Sequence, residues 1–300
     1  MRIEHAKRDV TEPRDLPEAM ARAIREVMAR EPGDVLAFLP GWGEIRRTME
    51  RLGGLDAEVL PLHGELPPAE QDRALTPIEG RRKVVLATSI AETSLTVPGV
   101  RIVVDGGFRR TPRLDGATGL SRLVTARISR AAAEQRAGRA GRTEPGVAIR
   151  LWSEATGRGM ALQDRPEVLE SELSGLVLDC AAWGAPPEAL PFLDAPPAGQ
   201  VAAARTLLRE LDALDTDGRI TTTGKRMARL GTHPRLARMM CAVAHEGEAA
   251  LAAELAALLE ERDPLRGREP PADITLRLDA QDADPVALRA IRRTAALHRR

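Results

Sequence analysis

The first half of this 300-residue chain alternates short apolar runs with polar, helix-compatible segments. Five runs have the composition of buried strands: Val35–Leu39, Val59–Leu62, Val84–Ala87, Ile102–Val104 and Val147–Leu151. Residues 17–30 instead show one helical stripe, made by Met20, Ile24, Val27 and Met28. Short apolar strands alternating with helices predict an α/β domain with a parallel sheet and helices on both faces.

An insertion, Phe108–Ser129, lies between the last two of these strands, with extended flanks around a glycine-containing turn at Asp115–Gly119. This pattern predicts a β-hairpin. Beyond Trp152 two helices, a turn with short strands and a further helix predict a winged-helix unit. The remaining residues are predicted to be helical, over Pro234–Ala244, Ala249–Glu261 and Val286–His298.

Charge is distributed unevenly along a chain whose formal net charge is zero. Residues 101–142 hold ten arginines against three acidic residues, a local net charge of +7. That stretch is either an anion-binding site or a solvated surface whose charges are paired. Cys180 and Cys241 lie at apolar helix positions without a metal-ligand spacing, which indicates buried free thiols. With no apolar run of membrane-spanning length and no signal-peptide pattern, we expect a cytoplasmic protein.

The segment AEQRAGRAGRTEPG, Ala133–Gly146, is helix-compatible although it is rich in arginine and glycine. On a continuous helix, Gln135, Arg139 and Arg142 would share one narrow face. Two guanidinium groups and an amide on one face can bind an array of phosphate oxygens. The alternative is a basic surface helix without a ligand.

Two glycines in this segment, Gly138 and Gly141, each lower helix stability by roughly 1 kcal/mol relative to alanine. We therefore expect them to allow a neighbouring backbone to approach closely. Arg136 is predicted to point away from the face that carries the other two arginines.

A hydroxyl-rich segment follows the strand Val84–Ala87 and contains Thr88, Ser89, Thr93 and Ser94. Open α/β sheets bind ligands at the carboxyl ends of their strands. These hydroxyl groups are therefore placed to donate to phosphates of a nucleotide or a nucleic acid. Helix capping by the same side chains is the alternative.

Four motifs follow one another along the chain: FLPGWGEI (Phe38–Ile45), LHGELPPAEQ (Leu62–Gln71), ATSIAETSLT (Ala87–Thr96) and QRAGRAGR (Gln135–Arg142). In order and spacing they resemble motifs of the second RecA-like domain of DEAH-type superfamily 2 ATP-dependent helicases. Asp115–Ser129 and Leu169–Gly184 extend this similarity to bacterial members. The winged-helix and helical part resembles the helicase-associated region, so the resemblance covers nearly the whole chain.

The resemblance implies roles for the matching residues in nucleotide binding. Gln135, Arg139 and Arg142 match residues that reach the γ-phosphate of ATP, which is bound with Mg²⁺ on the first RecA-like domain. Arg139 and Arg142 match the catalytic arginine fingers. Phe108, in DGGF, matches an aromatic residue that stacks on adenine in relatives that carry DPGF.

The resemblance also implies contacts to single-stranded nucleic acid, with RNA as the expected partner. Thr93 matches a contact to the nucleic-acid backbone, and Thr88 and Ser89 belong to the same predicted surface. Ser89 stands where many relatives have asparagine. The hairpin matches the element that separates strands at a duplex junction.

Two motifs of the family are missing from the chain, namely G-x-x-x-x-G-K-[ST] and Asp-Glu-x-His. In the family these motifs hold the phosphates and the magnesium ion. We therefore expect the chain to contain no metal site, to be inactive alone, and to work with an N-terminal RecA-like domain of the same protein. The alternative is a non-catalytic nucleic-acid-binding or adaptor module that keeps the helicase fold.

The same resemblance predicts the domain organisation. Residues 1–16 would be a linker from a first domain, and residues 17–153 would form the second RecA-like domain. Residues 154–231 would form a winged-helix-like domain. Residues 232–300 would form a helical helicase-associated domain that the chain end cuts short.

Overall fold

The structure, a computed structural model, describes residues 1–92, 95–115, 120–142, 144–243, 245–260, 265 and 271–281. The chain divides into two compact units, one over Met1–Arg165 and one that begins at Pro166. The predicted helix Val286–His298 and the predicted site residue Thr93 lie outside the described residues, as does Ser94.

The described residues of the first unit include eight strands. They are β1 (Arg2–His5), β2 (Asp34–Phe38), β3 (Glu58–Leu62), β4 (Lys83–Ala87), β5 (Val100–Asp105), β6 (Phe108–Asp115), β7 (Leu120–Arg127) and β8 (Val147–Arg150). All but β6 and β7 form one six-stranded sheet in the order β1-β8-β5-β2-β4-β3, in which every pair is parallel. The five strands predicted from apolar runs are confirmed.

Five α-helices accompany these strands in the described part of the unit. They are α1 (Leu16–Met28), α2 (Trp42–Arg51), α3 (Pro68–Leu75), α4 (Arg130–Ala137) and α5 (Glu154–Gly159). Alternate strand residues point to opposite faces of the sheet, so each face has its own apolar core. Val35 packs with α1 and α2 on one face, and Leu36 packs with α3 and α4 on the other. Helices therefore cover both faces, as predicted for an α/β domain.

Residues 2–5 were assigned from the sequence to a linker, but in the structure they form the edge strand β1 along β8. Arg2 pairs with Val147 and His5 pairs with Arg150. The sequence RIEH has no apolar run because an edge strand with exposed or half-buried side chains does not require one. The backbone ladder holds this segment, and hydrophobic patterning does not reveal it.

The predicted hairpin is confirmed as an antiparallel pair of strands, β6 and β7. Its register runs from Phe108 opposite Arg127 to Asp115 opposite Leu120. The residues at its tip, 116–119, lie outside the described part of the chain.

Among the described residues, the second unit contains helices, their connections and one short strand contact. Its helices are α6 (Ser174–Trp183), α7 (Ala198–Glu210), α8 (Thr222–Leu230), α9 (Pro234–Ala242), α10 (Glu246–Glu260) and α11 (Thr275–Gln281). Leu214 and Ile220 form an antiparallel bridge between α7 and α8, as a small wing requires. Buried residues such as Leu178, Leu208 and Met227 form its core.

The first unit ends near Arg165 rather than at the predicted boundary after residue 153. The reason lies in the backbone of the segment that follows α5. Ala161 and Leu162 accept hydrogen bonds from the amides of Arg130 and Ala131 at the start of α4. Residues up to this point are therefore tied to the sheet domain. Neither cysteine forms a disulfide; Cys180 is buried and Cys241 is half-buried.

No helix among the described residues is both long and apolar enough to cross a bilayer.

The backbone makes its closest approach at Gly146, just before β8. A Cβ atom there would lie 2.0 Å from the carbonyl oxygen of Ala140 and 2.3 Å from that of Arg101. We expect Gly146→Ala to lower the free energy of unfolding by about 3 kcal/mol or more, because two backbone segments would have to move apart. Urea denaturation followed by tryptophan fluorescence measures this loss.

Gly138→Ala is the matched control, because a Cβ atom at Gly138 would meet nothing within 4 Å. Its free energy of unfolding should stay equal to wild type or rise slightly, since alanine favours helix. Equal stability of the two variants would contradict the packing seen at Gly146.

Candidate functional site

Arg136 on α4 is buried at the centre of the candidate site, with only 1% of its surface exposed. Its Nε atom donates to Glu92 Oε1 over 2.6 Å, and its Nη1 atom donates to Asp105 Oδ1 over 2.9 Å. The Nη1 atom also lies 3.3 Å from the carbonyl oxygen of Phe108, and the guanidinium lies 4.9 Å from the Phe38 ring centre. One side chain therefore connects α4 with β2, the end of β5, the start of β6 and the turn after β4.

The two carboxylates control the charge state of Arg136. Burial alone would lower the pKa of the guanidinium, but Asp105 and Glu92 outweigh burial and raise that pKa. Asp105 also accepts a hydrogen bond from the amide of Gly107 over 2.9 Å. Buried ion pairs of this kind become costly when one partner is removed, because a charge is left without its counterion. The sequence pattern predicts that Arg136 lies off the phosphate face, but no sequence feature indicates that it joins two carboxylates.

Arg139 and Arg142 do not lie on one continuous helix with Gln135, which corrects the predicted arrangement. Helix α4 ends at Ala137, and a 3₁₀ turn follows over Gly138–Gly141. Since a 3₁₀ turn has about three residues per turn, positions three apart are brought into line. Arg139 and Arg142 therefore act on the same neighbouring segment, whereas Gln135 is exposed on α4.

That neighbouring segment is the chain between β4 and β5. Arg139 Nη1 donates to the carbonyl oxygen of Leu95 over 2.8 Å, and Arg139 Nη2 donates to the carbonyl oxygen of Glu92. Arg142 Nη1 donates to Thr96 Oγ1 over 2.7 Å. Arg139 is 7% exposed, and burial together with the charge of Arg142 lowers its pKa. The two arginines thus lie directly against the segment that carries the predicted nucleic-acid contacts.

The glycines of this segment differ from expectation. A Cβ atom at Gly138 would lie in open space, and one at Gly141 would lie 3.3 Å from Met1 Cβ, a side-chain atom. The close backbone approach predicted for them occurs at Gly146 instead. Gly138 stands at the point where α4 changes to the 3₁₀ turn, so it marks the end of the helix.

Thr88 and Ser89 lie at the carboxyl end of β4, as predicted. Thr88 is half-buried and Ser89 is exposed. Thr88 precedes a short 3₁₀ turn, Ser89–Ala91, but its side chain makes no capping hydrogen bond. Capping therefore does not account for this hydroxyl group, which leaves it available to a ligand.

Phe108 is more enclosed than its predicted stacking role suggests. Its surface is 5% exposed, and it packs with the α1 side of the core. The Arg127 guanidinium lies 4.1 Å from its ring centre and covers one face. Contact with adenine therefore stays a prediction, and it would require a ring face that Arg127 does not cover.

Some of the arginines in residues 101–142 form ion pairs with acidic residues outside that stretch. Arg101 lies 3.0 Å from a Glu144 oxygen, and Arg109 lies 2.7 Å from an Asp164 oxygen. These contacts fit the alternative of a charge-paired surface. They do not extend to Arg139 and Arg142, which have no ion pair with another described residue.

Metal-ligating side chains are not concentrated anywhere in the described part of the chain. No group of three or more His, Cys, Asp or Glu side chains there could hold a metal ion. The donors at the candidate site are guanidinium, amide and hydroxyl groups, which suit phosphate oxygens and not a cation.

Comparison with known families and proteins identifies the fold and the motifs. The helicase conserved C-terminal domain matches residues 18–144, and the winged-helix helicase associated domain (HA2) matches residues 204–232. The crystal structure of Escherichia coli DEAH/RHA helicase HrpB superposes with a TM-score of 0.88 at 39% identity, over 99% of this chain and 37% of that one. This chain belongs to the DEAH-type helicases.

Relatives in this helicase family are longer than the chain. The ATP-dependent RNA helicase HrpB of Escherichia coli K12 is 46% identical over 249 residues, which cover 81% of this chain and 31% of HrpB. The ATP-dependent RNA helicase HrpA of the same strain is 38% identical over 269 residues, which cover 87% of this chain and 20% of HrpA. The chain thus spans about a third or less of the length of these relatives, and it carries the helicase C-terminal and helicase-associated domains of a DEAH-type helicase.

The buried network makes Arg136 the most sensitive arginine of the site for stability. We expect Arg136→Met to lower the free energy of unfolding by about 3–5 kcal/mol, because Asp105 and Glu92 would keep their charges without a counterion. Arg130→Met, an exposed change on the same helix, should stay within about 0.5 kcal/mol of wild type. Urea unfolding followed by tryptophan fluorescence distinguishes them, and equal stabilities would show that the network contributes nothing.

Proposed function

We propose that this chain forms the C-terminal part of an ATP-dependent RNA helicase of the cytoplasm. In this proposal it supplies arginine fingers and strand contacts to an ATPase site that an N-terminal RecA-like domain of the same protein completes. One observation carries the proposal. Arg136 is paired with two carboxylates, whereas Arg139 and Arg142 contact only neutral oxygens among the described residues.

Neutral partners leave the charges of Arg139 and Arg142 available for an anion. A carbonyl or hydroxyl oxygen is a weaker acceptor than a phosphate oxygen, which forms charge-assisted and often bidentate bonds with guanidinium. A nucleotide phosphate presented to this surface can therefore displace Leu95 and Thr96 as acceptors. Gln135, exposed on α4, would add an amide contact from the neighbouring turn.

The second part of the proposal concerns the absent motifs. Because the chain lacks a phosphate-binding loop and an Asp-Glu-x-His motif, ATP and its Mg²⁺ would be held mainly by the first RecA-like domain. Bound Mg²⁺ would neutralise charge on the transferred phosphoryl group. The role of this chain would be to place guanidinium groups where further negative charge develops.

The arginine fingers are tested in a longer protein that includes a first RecA-like domain. Arg139→Ala and Arg142→Ala should each lower kcat for ATP hydrolysis by on the order of 10³-fold, because fingers act where charge develops in the transition state. Nucleotide affinity, measured by equilibrium titration, should change far less. Lysine at either position should restore little of the lost kcat, since an ammonium group lacks the planar fork of guanidinium.

Arg81→Ala serves as the matched control, because Arg81 is exposed at the opposite end of β4 from Thr88. Its kcat should equal that of wild type. Near-normal turnover by the Arg139 and Arg142 variants would refute the finger assignment. A protein that binds RNA but never hydrolyses ATP, even with the first domain present, would instead support the adaptor alternative.

The strand contacts are tested with the chain itself. Thr88→Val and Ser89→Ala should weaken binding to single-stranded RNA by a similar factor for different sequences, because backbone contacts carry no sequence information. Affinity should fall steeply as salt rises, since phosphate binding releases counterions. Fluorescence anisotropy with two unrelated oligonucleotides over a salt series measures both effects. Binding that ignores salt, or that is confined to one sequence, would contradict these contacts.

A further inference from the structure

A cavity of about 210 Å³ lies at the carboxyl ends of β1 and β8. Its walls come from the end of β1, the end of β8, the first turn of α4, and α5 with the residue that follows it. The lining residues used below are His5, Arg130, Glu134, Arg150, Trp152 and Gly157. Neither the helicase motifs nor the proposed ATPase site uses this cavity.

Two buried hydrogen-bond donors in the cavity wall lack an acceptor. Trp152 is fully buried, yet its indole Nε1 has no hydrogen-bond partner. The Nε atom of Arg150, whose side chain is 11% exposed, is likewise buried and unpartnered. Leaving a buried donor unsatisfied destabilises the folded state, so two such donors beside one cavity point to a ligand that accepts hydrogen bonds.

Gly157 on α5 leaves the space next to the indole donor free of a side chain. A Cβ atom at this position would lie 3.3 Å from Trp152 Nε1 and 3.7 Å from His5 Cε1. Any side chain there would therefore occupy the space in front of the donor. His5 in turn fixes the tryptophan, because its Nδ1 atom lies 3.1 Å from the Trp152 carbonyl oxygen.

The charges around the cavity favour an anion. Three arginines line it against two glutamates, which leaves a positive balance. Glu134 is occupied by Arg150 Nη2 at 2.7 Å. Glu154 and Arg158 lie 3.8 Å apart and are both 73% exposed, so this pair contributes little. Arg130 has no ion pair with another described residue and supplies the surplus charge.

We propose that this cavity binds a phosphate-sized oxyanion, with Trp152 Nε1 and Arg150 Nε as donors and Arg130 as the balancing charge. The two buried side-chain atoms without a partner in its wall are both donors, so we expect the ligand to present acceptors. Pockets for drug-sized ligands typically measure about 300–1,000 Å³, so a smaller cavity suits a phosphate group and not a whole nucleotide. The group can come from free inorganic phosphate or from the terminal phosphate of a nucleic-acid strand.

The indole proton of Trp152 reports binding directly. The chain has three tryptophans, so a ¹⁵N-labelled sample gives three indole N–H resonances in a two-dimensional NMR spectrum. Trp42→Phe and Trp183→Phe assign the Trp152 resonance by elimination without altering the cavity. Inorganic phosphate is then titrated at constant ionic strength against sodium chloride. The Trp152 resonance should shift and saturate, while the other two resonances stay in place.

Two glycines of α5 provide a matched pair of variants. Gly157→Ala should weaken the phosphate response by at least about tenfold, because the added methyl group obstructs a charge-assisted hydrogen bond. Gly159→Ala should respond like wild type, since a Cβ atom there would meet nothing within 4 Å. Absence of a saturating Trp152 shift in wild type would overturn the proposal. An equal response in Gly157→Ala would overturn it too.

A second pair of ligands separates the two sources of phosphate. A 5′-phosphorylated oligonucleotide and the same oligonucleotide with a 5′-hydroxyl group are titrated in parallel. The cavity is assigned to strand ends if the Trp152 shift requires the 5′-phosphate and saturates at a lower ligand concentration than it does with inorganic phosphate. A response to inorganic phosphate alone assigns it to the free anion. Equal shifts with both oligonucleotides would overturn the assignment to a terminal phosphate, because the 5′-phosphate would then make no difference.

Discussion

The arrangement of the first unit depends on one buried guanidinium group, that of Arg136. Its two carboxylate partners come from different connections, Glu92 after β4 and Asp105 at the end of β5. Neither carboxylate could be buried in an apolar sheet domain without a counterion. The same helix then leads into the turn that carries Arg139. The position of the candidate site is therefore set by electrostatics inside the domain, while the sheet provides the frame.

The fold was largely predictable because it depends on patterns of apolar residues. Runs such as Val84–Ala87 are buried on both faces of a parallel sheet, so they appear in the sequence as continuous apolar segments. β1 was missed because RIEH is an edge strand held by backbone hydrogen bonds, and those bonds leave no side-chain pattern. The extent of the first unit depends on backbone contacts in a similar way, since amides at the start of α4 retain Ala161 and Leu162.

The candidate site was predictable in composition but not in geometry. Motif resemblance selected Arg139 and Arg142 and placed Thr88 at a strand end. It could not show that α4 tightens into a 3₁₀ turn, because that change depends on contacts with the chain between β4 and β5. The different roles of Arg136, Arg139 and Arg142 could not be predicted from the sequence either. Identical side chains within seven residues acquire different roles only through the carboxylates or carbonyls that fold against them.

The contacts of Arg136 also have a mechanical meaning. Arg136 joins helix α4 to the segment that precedes β5 and to the start of the hairpin. These three parts therefore cannot move independently of one another. A ligand that pushes on the chain after β4 would then not bend a loop locally. The push would instead be transmitted through Arg136 to α4, to the end of β5 and to the start of the hairpin.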